Sequence, residues 1–136
     1  MEMLAEFKAI HAELEAAMNE LDRLTQADAP HQTAVAAARA RLSKASGKRR
    51  ALFGMACNYL GKTADPAAAA TLRQLREQNA AQLAMSTRHI GTWGLRQLVA
   101  NWPEYVRTAA SMRQSMRDLI DADRKTLLPM LDRAPG

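Results

Sequence analysis

Three histidines, one cysteine and fourteen carboxylates are the side chains of this sequence that could do acid–base, nucleophilic or metal chemistry. His11 is the most informative of them. It stands in LAEFKAIHAELEAAMNEL, where Leu4, Phe7, His11, Leu14, Met18 and Leu21 recur at steps of three and four and so share one stripe of a helix. An imidazole on an apolar stripe reads either as a buried residue with a hydrogen-bond partner or as a metal ligand. Asp123 poses the same question in the last third of the chain. Its stripe is Trp102, Tyr105, Ala109, Met112, Met116, Leu119, Asp123, Leu127 and Met130. A buried carboxylate needs a counter-charge. His31 falls in a turn and His89 in an irregular connection, so both read as surface or linker residues. Cys57, beside Ala56 and Tyr59, has no histidine at a local spacing and reads as a buried structural thiol. No zinc-ligand spacing, no glycine-rich phosphate loop and no nucleophile–base pair occurs in the sequence.

Four helices are predicted to position these groups. The first covers residues 2–26 and ends in QADAPH. The second covers 31–60 with Val35, Ala38, Leu42, Ala45, Leu52, Met55 or Ala56, and Tyr59 as its apolar stripe; Ser46–Gly47 is a weak or bent point in it. In GKTADP, Gly61 suits the position after a helix, Asp65 an N-cap and Pro66 the first turn of the next helix. The third helix covers 66–88, with Ala68, Leu72, Leu75, Asn79 and Leu83 in register. HIGTWGLRQLVAN, residues 89–101, reads as a long ordered connection with one short helical turn and Trp93 as a lid. Asn101 then caps a fourth helix over 102–131, with Pro103 in its first turn and Pro129 bending or ending it. Four amphipathic helices with short connections and no second-domain linker imply one all-α domain, an antiparallel up-down-up-down four-helix bundle spanning 1–136.

Composition supports this. Aromatics are 4 % and Val and Ile are sparse, which disfavours a sheet. No run is long and apolar enough for a membrane span, no basic–apolar leader opens the chain, and a lone cysteine forms no internal disulfide, so a cytoplasmic protein is expected. The net charge of +5 is uneven. Residues 1–28 carry seven acids against Lys8 and Arg23, whereas residues 29–64 carry no acid and seven bases: Arg39, Arg41, Lys44, Lys48, Arg49, Arg50 and Lys62. The two segments are expected to attract each other as neighbouring helices. The other reading is a basic face over residues 39–50 for nucleic acid or an acidic protein, although no aromatics interleave there.

The segments DLIDADRKTLLPMLD (118–132), NWPEYVRTAASMRQSMRDLI (101–120) and KTADPAAAATLRQL (62–75) resemble the closing segment, last helix and second turn of hemerythrin-like domains. The resemblance implies a bundle whose four helices direct histidines and carboxylates at a central di-iron site. Three histidines are too few for that set. His11 and Asp123 stand at surviving ligand positions. The other ligands are lost at Lys48, Leu52, Asn79 and Leu119, and the resemblance implies that Lys48 or Arg49 replaces metal charge and neutralises Asp123. What the resemblance then implies is a degenerate, non-catalytic bundle without cofactor, acting as a small binding, sensory or regulatory module. Its partner would be another protein, a small apolar ligand among the seam methionines, or a second copy, with Trp93, Trp102 and Tyr105 as the partner surface. The leading alternative is a residual oxygen or redox protein holding one iron or zinc at His11 and Asp123.

Overall fold

Asp65 begins a helix as its type demands: its carboxylate accepts the Ala68 N–H at 2.8 Å, and Pro66 fills a first-turn position where the missing N–H has no helical partner to lose. His31 does the same for the preceding helix, its Nδ1 accepting the Ala34 N–H at 3.2 Å. The computed structural model describes residues 1–135, which form α1 (Glu2–Leu24), α2 (Gln32–Gly61), α3 (Pro66–Thr92), the short α4 (Leu95–Ala100), α5 (Trp102–Ala122), a π-helical turn (Asp123–Leu127) and α6 (Leu128–Arg133). The fold is all-α, with no strand among the described residues.

Several boundaries differ from the sequence expectation. The first helix stops at Leu24 rather than residue 26, because Thr25 folds its hydroxyl back onto the Leu21 carbonyl at 2.8 Å and closes the last turn. The third helix continues past residue 88 to Thr92, so Gly91 lies inside it and His89 is helical, not part of an irregular connection. Gly61 likewise ends α2 in helical geometry, since no glycine among the described residues has positive φ. α2 runs unbroken through Ser46–Gly47. Asn101 precedes α5 without a side-chain cap. Pro129 has a visible local consequence. Its ring removes one N–H and crowds the carbonyl of Lys125, and the chain widens into a π turn over Asp123–Leu127 in which the Leu128 N–H reaches the Asp123 carbonyl.

Packing follows the apolar stripes in three successive clusters. Phe7 of α1 lies with Leu52, Phe53 and Cys57 of α2, Leu72 and Leu75 of α3, and Leu127 and Leu131. Leu14 and Met18 lie with Ala45, Met116, Leu119 and Ile120. Leu21 and Leu24 lie with Val35, Ala38, Trp93, Leu98, Trp102 and Tyr105. One open stripe position is decided and one assignment fails. Met55 is exposed and Ala56 is buried in its place, and Leu83 of α3 is exposed while Gln82 is buried. The alanine-rich α3 buries only Leu72, Leu75 and Gln82, so it covers its half of the core thinly.

The acidic first helix packs along the basic second, as expected of neighbours, but its ion pairs are not mainly with it. Lys48–Glu13 at 3.7 Å is a loose contact between two half-exposed side chains. The closer partners come from α5 and the turn after it: Arg113 and Arg117 hold Asp22 at 2.7 and 2.6 Å, and Arg124 holds Glu15 at 2.6 Å. Burial would push the Asp22 carboxyl up, but Arg113 and Arg117 outweigh it and hold it below its ordinary value; the hydrogen bond from Arg124 holds Glu15 down. Both pairs therefore stabilise the fold above the ordinary carboxylate range and lose that contribution as pH falls through the depressed values. Urea-unfolding midpoints are expected to drop as pH falls below the ordinary values of 3.8 and 4.5. Asp22→Asn with Glu15→Gln should flatten that drop, and a midpoint independent of pH in this range would refute the assignment.

Candidate functional site

His11 and Asp123 meet. Nε2 of His11 lies 2.8 Å from Oδ2 of Asp123, and both side chains are fully buried. The third member is Arg49 of α2. Its Nε donates to Oδ2 and its Nη2 to Oδ1, each at 2.8 Å, so the guanidinium fork grips the carboxylate through both oxygens. The remaining edge of Arg49 donates through Nη1 to Oδ1 of Asn79 at 2.7 Å, and Asn79 anchors itself by donating Nδ2 to the Leu75 carbonyl. Four residues, from α1, α2, α3 and the π turn that follows α5, thus close one polar network inside an apolar shell. Phe53 lies under the guanidinium with the Arg49 Cζ 5.4 Å from its ring centre, and Phe7 flanks the imidazole at 5.8 Å.

The chemistry of each group follows from these contacts. Asp123 accepts three hydrogen bonds, so His11 must present its N–H at Nε2. Nδ1 of His11 is buried without a partner among the described residues. The full charge of Arg49 stands against that of Asp123, which is what permits either to be buried. A residual metal site does not fit. One imidazole and one carboxylate are the only classical ligands present, a guanidinium occupies both carboxylate oxygens, and no group of three or more metal-ligating side chains occurs among the described residues.

The structure sorts the other sequence candidates. Lys48 does not face the interior. It is half exposed, and the inward position belongs to Arg49, one residue on. Leu52 and Leu119 are core residues, and Asn79 is half-buried in the network. The proposed basic face over residues 39–50 is broken up: Arg49 is buried, and Arg39 leans into the domain, donating to the Trp93 carbonyl and lying over the Tyr105 ring. Arg41, Lys44 and Arg50 remain exposed. Trp93, Trp102 and Tyr105 are buried against one another and offer no exposed partner surface. Trp102 also donates its indole N–H to the Ala27 carbonyl at 2.8 Å, tying the first turn to α5. Cys57 is buried, and burial pushes its thiol pKa up, away from reactivity.

Sequence reasoning missed a second feature. A cavity of about 460 Å³ opens between α2, α3 and α5, lined among others by Arg39, Arg50, Gln82, His89, Tyr105 and Arg113. Its only available sequence signal was the small-residue run of Ala36, Ala40, Ser43 and Ser46 along one side of α2, which leaves room where larger side chains would fill it. No family model, no curated protein and no solved structure matches the chain.

Proposed function

We propose that this chain is a four-helix antiparallel bundle of hemerythrin-like descent in which a salt-bridged network stands in for a metal centre, and that it works as a non-catalytic binding module. The observation carrying this reading is the Arg49 fork on both oxygens of Asp123, with His11 on the same carboxylate. In the resembling domains, inward ligands from four helices hold two irons. Here inward groups from four elements close one network: Asp123 and Asn79 hold the Arg49 guanidinium, His11 holds Asp123, and permanent side-chain charge does the neutralising that metal charge would do. The core clusters support the topology: the start of α1 lies with the ends of α2 and of the last helix, and the end of α1 lies with the start of α2 and of α5. Arg49 and Asp123 are buried with their hydrogen bonds committed to each other, to His11 and to Asn79, so binding falls to the cavity between α2, α3 and α5.

Elemental analysis of protein purified without chelator or affinity tag tests the reading, together with near-ultraviolet absorption. The expected result is a folded, helical protein with no stoichiometric iron or zinc and no ligand-to-metal absorption. One or two metals per chain, lost in His11→Ala, would overturn it.

A further inference from the structure

The geometry points to the cavity between α2, α3 and α5 as a binding site for an amphipathic organic anion, a carboxylate or sulfonate carried on an apolar body. This rests on the binding-module reading and names its ligand class. The volume, about 460 Å³, lies in the range of small-molecule pockets. The charge in the lining is of one sign: Arg39, Arg50 and Arg113 contribute to it, and no Asp or Glu does. These cations are not all spent. Arg50 has no ion-pair or hydrogen-bond partner among the described residues. Arg113 commits Nε to Asp22 and Nη2 to Thr25, and Arg39 commits Nη2 to the Trp93 carbonyl. Each of the last two keeps a further N–H edge for an oxyanion.

Neutral polar groups accompany the cations. Gln82 is buried and lines the cavity, yet its amide meets no partner among the described residues. His89 stacks on Tyr105 at 5.9 Å, and its Nδ1 is buried without a partner. Burial, with Arg39 and Arg113 nearby, holds the His89 imidazole below its ordinary pKa, so the group adjoining the arginines is a neutral donor or acceptor and not a fourth cation. The rest of the wall is mainly apolar, with the hydroxyl side chains of Ser43, Ser46, Ser86 and Thr87 among it. Leu83, Ile90 and Leu95 line the cavity and are 40, 52 and 41 % exposed, although large apolar side chains gain most when covered. Arginines set along a wall that also carries uncovered apolar side chains are complementary to an anion with an apolar body, and not to a cation.

The test is a fluorescence titration with 8-anilinonaphthalene-1-sulfonate, competed by decanoate and, separately, by decanol. Near-ultraviolet ellipticity is followed throughout to show that the fold is intact. The expected result is saturable binding at one site per chain, displaced by decanoate and much less by decanol. Affinity should be about ten-fold weaker in Arg39→Gln/Arg50→Gln, as for the loss of a charged hydrogen bond. It should be absent in Ala40→Trp, which puts an indole into the cavity from an exposed helix position. Equal displacement by decanol, with no loss in the arginine variant, would overturn the anion assignment and leave the binding module standing. Absence of any binding to the folded protein, or closure of the groove by concentration-dependent self-association, would overturn the site. The metal analysis above decides the charge-for-metal reading independently of these outcomes.

Discussion

Arg49→Met is expected to destabilise the protein by about 3–5 kcal/mol, the usual effect of removing one partner from a buried ion pair. The substituted side chain is similar in length and apolar, so lost packing is a small part of the effect. The large part is Asp123, left buried with its charge unpaired and with two of its three hydrogen bonds gone. Arg49→Lys should also be costly, because a single ammonium cannot reach both Asp123 oxygens and Asn79 at once. The informative comparison is the triple variant His11→Leu/Arg49→Met/Asp123→Leu. Replacing a whole buried ion network by apolar side chains is often neutral or stabilising, so this variant should recover most of the stability lost by Arg49→Met alone. Urea denaturation with a common slope measures all three. A single variant as stable as the parent would mean that Asp123 does not depend on Arg49, and the charge-replacement reading would fall with it. A triple variant no more stable than the single would mean that the network specifies the packing of its four elements beyond its ionic bookkeeping.

The second large effect is expected at Tyr105. It is 1 % exposed, and Trp93, Trp102 and His89 pack on it with ring centres 5.6 to 5.9 Å away, while Arg39 lies 5.7 Å over its ring. Tyr105→Ala removes the centre of this cluster and joins its space to the adjoining cavity, at a cost of about 3–5 kcal/mol, the range for deleting a large buried aromatic ring. Tyr105→Phe keeps the ring. The phenol makes no hydrogen bond among the described residues and the side chain lines the cavity, so this change should cost less than about 1 kcal/mol. Thermal unfolding followed by ellipticity separates the two variants. A Tyr105→Phe loss as large as that of Tyr105→Ala would show that the hydroxyl, not the ring, holds this end of the domain. The same pair bears on the ligand site, because Tyr105→Ala should also loosen the wall on which His89 is stacked.

These two regions divide what could be read in the residues from what could not. The helical course, the N-cap at Asp65 with Pro66 behind it, and the places of His11 and Asp123 on apolar stripes follow from local rules of propensity, capping and a 3.6-residue period. So does the expectation that a buried Asp123 needs a cation. Which cation was a tertiary matter. Lys48 and Arg49 are adjacent, and one residue is about 100° of rotation about a helix axis. On α2 the apolar face is so rich in alanine and serine that its centre is poorly marked, and only packing against α1 and the turn after α5 turns Arg49 inward. For the same reason the pattern on α2 leaves Met55 and Ala56 as alternatives, of which Ala56 is buried, and on the alanine-rich α3 it points to Leu83 where Gln82 is buried.

The charge pattern was equally ambiguous from sequence. Seven acids in the first segment and seven bases in the second invited pairing between them, but attraction depends on which helix lies within a few ångströms on the right side. Arginines of α5 and the turn after it reach Asp22 and Glu15, and Arg39 turns away to Tyr105. The burial of Trp93, Trp102 and Tyr105, and the opening of a cavity beside them, were likewise decided by the tertiary fold. A side chain's period states which face of its own helix it shares; the identity of what covers that face, or the absence of any cover, is set by the neighbours.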